Sequence, residues 1–406
     1  MRSVRGETAM VAILFATWGL VFLDRMSLLY LAPYIAPALH ITDAQIGSLA
    51  GIIALCWAVS SLAFGAISDR FGRKIVLVPM VVLFSTLSAL SGLAHTYAEL
   101  FVFRAALGLA EGPCWTVMMT LVEENSAPQR RGRNIGVVVS AAAIIGLAAA
   151  PILTTQIAAH FGWRWALFMA GAPGLVMALL IALFVRDAPR AASDAGHRVR
   201  LQEMLSLLRY RNIWLCALGA AGFMTWLFLV NTFGPLYITG TEGQSGTAAG
   251  FLMGAAGLGS FFIGLIGPGL SDRFGRRPVL AALALLSALL PLALLMHPLY
   301  AMPRVLALVL FLTQGGQAIA AVCIILIPTE SVPRALAATA VGVTTMVGEI
   351  VGGFLAPVVS GDLVASHGPA EPLWLAALGM LMVFVVALAL TPVASPAAGR
   401  QLNSLG

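Results

Sequence analysis

The stretch SDRFGRK, Ser68–Lys74, occurs again almost unchanged as SDRFGRR, Ser271–Arg277. Each copy combines an aspartate, three basic residues and a glycine, and each lies between two long apolar runs. A charged heptad that returns once in the same setting indicates a chain made of two equivalent halves. We call these two stretches the heptads, and the sequence around them indicates what surrounds each half.

The composition excludes an ordinary water-soluble protein. Of the 406 residues, 60% are apolar and 10% are charged, and the mean hydropathy is +0.95. Soluble domains carry about 25% charged residues, so this chain has too few charges to cover a surface in water. Lipid must therefore surround most of the chain, and we expect an integral membrane protein in contact with a lipid bilayer.

Apolar runs long enough to cross a bilayer of about 30 Å, at about 20 residues each, recur along the whole chain. We predict helices because a lipid-exposed backbone must satisfy its own hydrogen bonds and the runs lack the alternation of barrel strands. Spans 1, 7 and 11 exceed the bilayer thickness, so we expect them to be tilted or kinked. The prediction is an all-α membrane protein with twelve transmembrane helices, at 9–38, 44–67, 75–95, 98–121, 134–159, 163–185, 212–239, 246–270, 278–296, 303–327, 335–364 and 372–392.

The basic residues predict the orientation of these spans. Of the 23 Lys and Arg residues, Arg25 and Arg104 lie deep within spans, and Arg164 and Arg304 lie at the ends of spans on one side. All the others fall in segments on the opposite side, which the positive-inside rule identifies as cytoplasmic. We therefore expect both termini to be cytoplasmic. The net charge of +6 reflects this topology, and we expect no nucleic-acid partner.

A second repeated feature supports the division into halves. EENSAPQRRG, Glu123–Gly132, follows span 4, and TESVPRA, Thr329–Ala335, follows span 10. A polar basic segment with no spanning run lies between span 6 and span 7, with a predicted short amphipathic helix around 201–208. We predict three parts: an N-terminal six-helix bundle at 1–187, a cytoplasmic linker at 188–210, and a C-terminal six-helix bundle at 211–406.

The longer form of the first heptad, GAISDRFGRK at Gly65–Lys74, resembles the loop 2–3 signature of the major facilitator superfamily. Ile67 stands where leucine is usual, and in the second copy Pro268 replaces the first glycine. The resemblance implies two pseudo-symmetric six-helix bundles. It also implies that residues near the heptads latch helix ends together in one transport state and release them in the other, and the candidate gating residues are Asp69, Arg73, Glu124, Asp272, Arg276 and Glu330.

Five ionisable residues fall deep inside predicted spans: Asp24, Arg25, Arg104, Glu111 and Glu349. A charge at the bilayer centre costs at least about 2.5–3.5 kcal/mol, so such residues are functional candidates. Seven residues separate Arg104 from Glu111, which places them within about 20° of one helix face. Asp24 and Arg25 are adjacent and point about 100° apart, so one can meet span 4 while the other faces the central cavity.

Asp-Arg in span 1 together with Arg-x₃-Gly-x₂-Glu in span 4 resembles the anion:cation symporters of this superfamily, which carry organic anions and sugar acids. The resemblance implies that Arg25 binds the substrate carboxylate and that Asp24 and Glu111 carry protons. Arg104 would then bias the pKa values of both acids. Glu349 departs from the family, which commonly has asparagine near this position. A further proton site, a partner for a polar substrate and a helix-packing residue remain open for it.

Other polar residues within the spans are weaker candidates for substrate contacts. Asn231 follows a polar break predicted in span 7, and Gln314 and Gln317 should share one face of span 10. Tyr30 in span 1 could line the same cavity. All six histidines lie outside the predicted bundle, so carboxylates must handle any proton that drives transport.

These features predict a transporter and not an enzyme. The function expected is secondary-active import of a small organic anion with H⁺, driven by the proton gradient and needing no cofactor or metal. We expect a monomer in a bacterial inner membrane. Alternatives are a proton-coupled exporter of drugs, a carrier of amphipathic lipids resembling the spinster family, and a channel or receptor. GLAAAPILTT, Gly146–Thr155, lacks most glycines of the exporter motif in helix 5, which counts against export.

Overall fold

The computed structural model describes residues 4–185, 187, 206–333 and 336–391. This part of the chain contains twelve helices long and apolar enough to cross a membrane, which confirms the predicted number. Residues 188–205 of the predicted linker, which include most of the amphipathic helix predicted around 201–208, lie outside the described residues. The helices are α1 Val4–Leu39, α2 Asp43–Phe71, α3 Arg73–Ser91, α4 Tyr97–Asn125, α5 Arg131–Phe161, α6 Trp163–Phe184, α7 Arg211–Gly240, α8 Gly246–Phe274, α9 Arg276–Leu294, α10 Pro303–Ser331, α11 Ala337–His367 and α12 Glu371–Ala389.

Each heptad forms the tight turn between two antiparallel helices. Gly72 joins α2 to α3 with φ 116°, and Gly275 joins α8 to α9 with φ 94°. Side chains other than glycine rarely adopt such positive φ values, which explains why the glycine recurs in both copies. We call the end of the bundle that carries these turns the heptad end, and the other end the opposite end.

Three helices contain wider, π-helical segments: Ala142–Ala149 in α5, Ala320–Leu326 in α10 and Glu349–Leu355 in α11. Such segments are frequent at functional sites, because they turn side chains out of the regular helical register. The segment in α11 begins with Glu349, and this residue consequently lies at an irregular point of its helix.

The polar break noted in span 7 does not interrupt its helix, because α7 is continuous through Asn231. Helix α10 is instead interrupted between Leu312 and Gly316. Gln314 lies in this interruption, and its side-chain oxygen accepts a hydrogen bond from the Gly316 backbone N–H at 3.1 Å. The prediction that Gln314 and Gln317 share one helix face is therefore wrong.

The two six-helix bundles pack together through α2 against α11 and through α5 against α8. At the opposite end these contacts are close, because Gly47 of α2 faces the backbone of Pro357 and Gly250 of α8 faces the backbone of Pro151. Towards the heptad end, Ala337–Gly348 of α11 packs mainly on α7 and α10 of its own half. The described helices therefore join the halves at the opposite end and leave them further apart at the heptad end.

Candidate functional site

The centre of the molecule holds an ion pair between the two halves. Nη2 of Arg25 in α1 lies 2.6 Å from Oε2 of Glu349 in α11, and both side chains are 4% exposed. We call this the central ion pair. Removing two charges from water is costly, and direct contact between the carboxylate and the guanidinium offsets part of that cost. Glu349, whose role the sequence leaves open, is thus the partner of the predicted substrate-binding arginine.

Aromatic rings from both halves flank the Arg25 guanidinium. Its Cζ lies 5.3 Å from the ring centroid of Trp57 in α2 and 5.1 Å from that of Phe228 in α7. Both distances allow cation–π attraction, which helps to hold the guanidinium between the halves. Nε of Arg25 has no hydrogen-bond partner among the described residues. Glu349 and the two rings are therefore the main contacts of this guanidinium.

Asp24 and Glu111 bring two buried carboxyl groups together within the first half. Ser88 of α3 donates a hydrogen bond to one oxygen of Asp24, and the two carboxyl groups are fully buried and interact electrostatically. No group in the described part of the chain donates a hydrogen bond to Glu111. Two neighbouring buried carboxylates repel each other unless one of them carries a proton. We call these residues the acid pair, and their proximity makes them a place where a proton can be held.

Arg104 lies beside the acid pair and completes its charge balance. Its guanidinium is fully buried and donates from Nη2 to the backbone oxygen of Arg25 at 2.9 Å. Nε and Nη1 have no partner among the described residues. One cation and two acids are electrically neutral when the acid pair carries a single proton, which lowers the cost of burial. The structure thus separates two sets, the central ion pair and the acid pair with Arg104.

The adjacent residues Asp24 and Arg25 belong to different sets, as their predicted angular separation requires. Asp24 turns towards α3 and α4, while Arg25 turns towards α11. Ser88 and Phe228 were not identified from the sequence. A serine and a phenylalanine in apolar helices carry no signal that distinguishes them from packing residues.

Among the weaker candidates, Tyr30 and Asn231 form a second contact between the halves. Oη of Tyr30 donates to Oδ1 of Asn231 at 2.7 Å, and Nδ2 of Asn231 donates to the Leu227 backbone oxygen at 2.6 Å. Gln317 instead faces Gly264 of α8, and Gln314 caps the interruption of α10. The structure therefore brings Tyr30 and Asn231 together and places Gln314 and Gln317 in helix packing of the second half.

The candidate gating residues form a corresponding cluster in each half. Arg276 lies 2.6 Å from Asp272 and 2.6 Å from Glu330. In the first half, Arg73 lies 3.2 Å from Glu124. The side chain of Asp69 lies outside the described residues. Each of these described contacts joins helix ends within one bundle.

Comparison with known proteins identifies the family of this chain. A model of the Major Facilitator Superfamily matches residues 14–357. The chain is 26% identical over 293 residues to the probable 4-methylmuconolactone transporter of Cupriavidus pinatubonensis, covering 70% of this chain and 68% of that protein. It is 25% identical over 248 residues to the hexuronate transporter of Bacillus subtilis, covering 59% of this chain and 58% of that protein.

Among solved structures, the fold resembles a bacterial homologue of the human lysosomal transporter Spinster in an inward-facing and occupied conformation. The TM-score is 0.70 at 18% identity, with 95% of this chain and 96% of that chain covered. This likeness concerns the fold alone and agrees with two bundles of six helices. Because the family model spans most of the residues, the chain belongs to the Major Facilitator Superfamily, a family of membrane transporters and not of enzymes.

Proposed function

We propose that this transporter imports a small organic anion together with H⁺ by alternating access. One observation carries the proposal: a buried arginine of the first half meets a carboxylate of the second half, and two further carboxyl groups, Asp24 and Glu111, are fully buried beside it. Anion binding and proton binding then act on neighbouring groups of one helix. Such proximity is what couples the two ligands energetically.

Arg25 is the proposed anion site. Its guanidinium can bind a carboxylate with two parallel hydrogen bonds. It also lies where helices of both halves meet, so a bound anion would contact both. The relatives support this substrate class, because their names refer to a hexuronate and to a lactone that carries one carboxylate.

The acid pair is the proposed proton site of the coupling mechanism. Asp24 and Glu111 share a proton in the loaded carrier, and Arg104 stabilises the pair when that proton leaves. The proton gradient then supplies the driving force without a cofactor. Tyr30 and Asn231 are proposed to close over the substrate from the two halves.

The orientation follows from the basic residues, which the positive-inside rule places in the cytoplasm. The heptad end is then cytoplasmic, as are both termini, and the wider separation of the halves there corresponds to an inward-facing state. The gating clusters would release and re-form as the heptad end closes. Bacterial relatives support the inner membrane as the location, and we propose a monomer as the transporting unit.

Uptake by purified protein in proteoliposomes tests the function. We expect D-glucuronate or 4-methylmuconolactone to accumulate inside when the external pH is lower than the internal pH. A protonophore and protein-free liposomes are the controls. Uptake that ignores the pH gradient would contradict proton symport, and extrusion in exchange for entering protons would favour the exporter alternative.

A further inference from the structure

Glu349 occupies the position on Arg25 that a substrate carboxylate would need. Its Oε2 lies 2.6 Å from Nη2 of Arg25, the distance of a strong charge-assisted hydrogen bond. The aromatic rings of Trp57 and Phe228 flank the same guanidinium. Two carboxylates and one guanidinium in so confined a space would leave one buried negative charge without a partner. A substrate anion therefore competes directly with Glu349.

Around Glu349, the residues that the structure describes offer no cation other than Arg25. Its helix packs against α2 and α7, which present Ala54 and Phe228 beside Gly353, one turn further along α11. Helix α1 contributes Arg25, the charged group that acts on Glu349 within the described residues. When Arg25 turns to another carboxylate, Glu349 must become neutral or remain an unpaired charge in an apolar site.

We propose that Glu349 is a resident carboxylate, which holds Arg25 in the empty carrier and yields it to the carboxylate of the cargo while taking up a proton. The inference rests on the proposed function and specifies its cargo as a monocarboxylate. The proton comes from water and forms an O–H bond on Glu349, so the site keeps its net charge when one anion enters. Release of the cargo reverses the step, and the proton leaves as the central ion pair re-forms.

The same exchange explains why the empty carrier can return. An unpaired arginine between the two halves would carry a large desolvation cost each time the bundles rearrange. Glu349, which belongs to the second half, takes the place of the departing anion on Arg25. The charge of the guanidinium is therefore neutralised in both the loaded and the empty carrier. The tight ion pair across the halves in this structure corresponds to the empty carrier.

Binding of D-glucuronate and 4-methylmuconolactone to the purified full chain, measured calorimetrically at pH 6 and pH 8, tests the proposal. Because one proton accompanies each anion, the wild-type Kd should rise by about tenfold per pH unit from this step. In Glu349→Gln the anion no longer displaces a charge. We expect it to bind about tenfold more tightly at pH 8, with a correspondingly smaller change between the two pH values. Asp362→Asn, which removes an exposed acid of the same helix, should leave both values unchanged.

Weaker binding in Glu349→Gln with the wild-type pH dependence would overturn the proposal, because it would make Glu349 a structural or substrate-binding group. If that variant does not fold, a measurement of proton uptake tests the proposal instead. At pH 8, Glu111→Gln should still take up about one proton from a lightly buffered solution for each anion bound. Binding without proton uptake in that variant would also overturn it. Neither measurement depends on the acid pair. A proton count per transported anion that is the same in Glu111→Gln and wild type would therefore refute the coupling through Asp24 and Glu111 in the proposed function and leave this inference standing.

Discussion

At the heptad end, Arg73 and Arg276 have matching surroundings in the two halves. Each donates to a serine five residues earlier and lies against a glutamate at the end of α4 or α10. At the centre this correspondence is absent. Asp24, Arg25, Arg104 and Glu111 all belong to the first half, and within the described residues the second half contributes Glu349. The proposed gating clusters therefore recur in both halves, while the residues of the proposed coupling chemistry are concentrated in the first half.

The largest effect is expected at the central cation. Arg25→Gln removes the charge that holds the anion and leaves Glu349 without a partner, so uptake should fall by about 100-fold or more. Arg25→Lys keeps the charge but not the two-pronged geometry, and we expect partial activity. Initial rates of uptake in proteoliposomes measure both. Uptake by Arg25→Gln within a few-fold of wild type would remove Arg25 from the anion site.

A smaller effect is expected when the acid pair loses its proton site. Glu111→Gln should transport one proton fewer for each anion, so the accumulation ratio should fall by about tenfold at a gradient of one pH unit. Exchange of internal for external anion needs no net proton movement and should persist. Counterflow and accumulation assays on the same vesicles distinguish these effects. Wild-type accumulation by Glu111→Gln would show that the asymmetry of the two halves is unrelated to coupling.

The matched clusters at the heptad end provide the next test of the comparison. Arg73→Gln and Arg276→Gln should each slow maximal uptake by about threefold to tenfold, because they loosen helix ends that must move together. The KM should change little, since neither residue touches the anion site. Arg273→Gln, in the same heptad but stacked on Phe274, is the control. A tenfold difference between the two cluster variants would show that the halves are not equivalent at this end.

The smallest effect is expected at the hydrogen bond between Tyr30 and Asn231. Tyr30→Phe removes one hydrogen bond worth about 0.5–1.5 kcal/mol, so the KM should rise about twofold to tenfold. The proton count per anion should stay at the wild-type value. Flux measurements with a pH electrode determine both quantities. A changed proton count would assign Tyr30 to the proton path.

The sequence was sufficient to predict the fold and most of the proposed site. Hydropathy gave the twelve helices, the heptads gave the two halves, and helical geometry placed Asp24 and Arg25 on different faces. The contacts between helices that are distant in the sequence could not be predicted from it. Nothing local to Glu349 indicates that it meets Arg25, because that contact depends on how two bundles pack. The interruption of α10 was missed for a related reason: Gln314 satisfies the backbone there, and a glutamine in an apolar run gives no sign of this.

In the proposed mechanism, a proton crosses the membrane with each anion by way of the acid pair. A pH electrode in a lightly buffered suspension of proteoliposomes, combined with measured uptake of D-glucuronate or 4-methylmuconolactone, gives the number of protons per anion directly. We predict external alkalinisation as the anion enters, and a count lower by about one proton in Glu111→Gln than in wild type. Anion entry with no proton movement in wild type, or an identical count in the variant, would contradict the account.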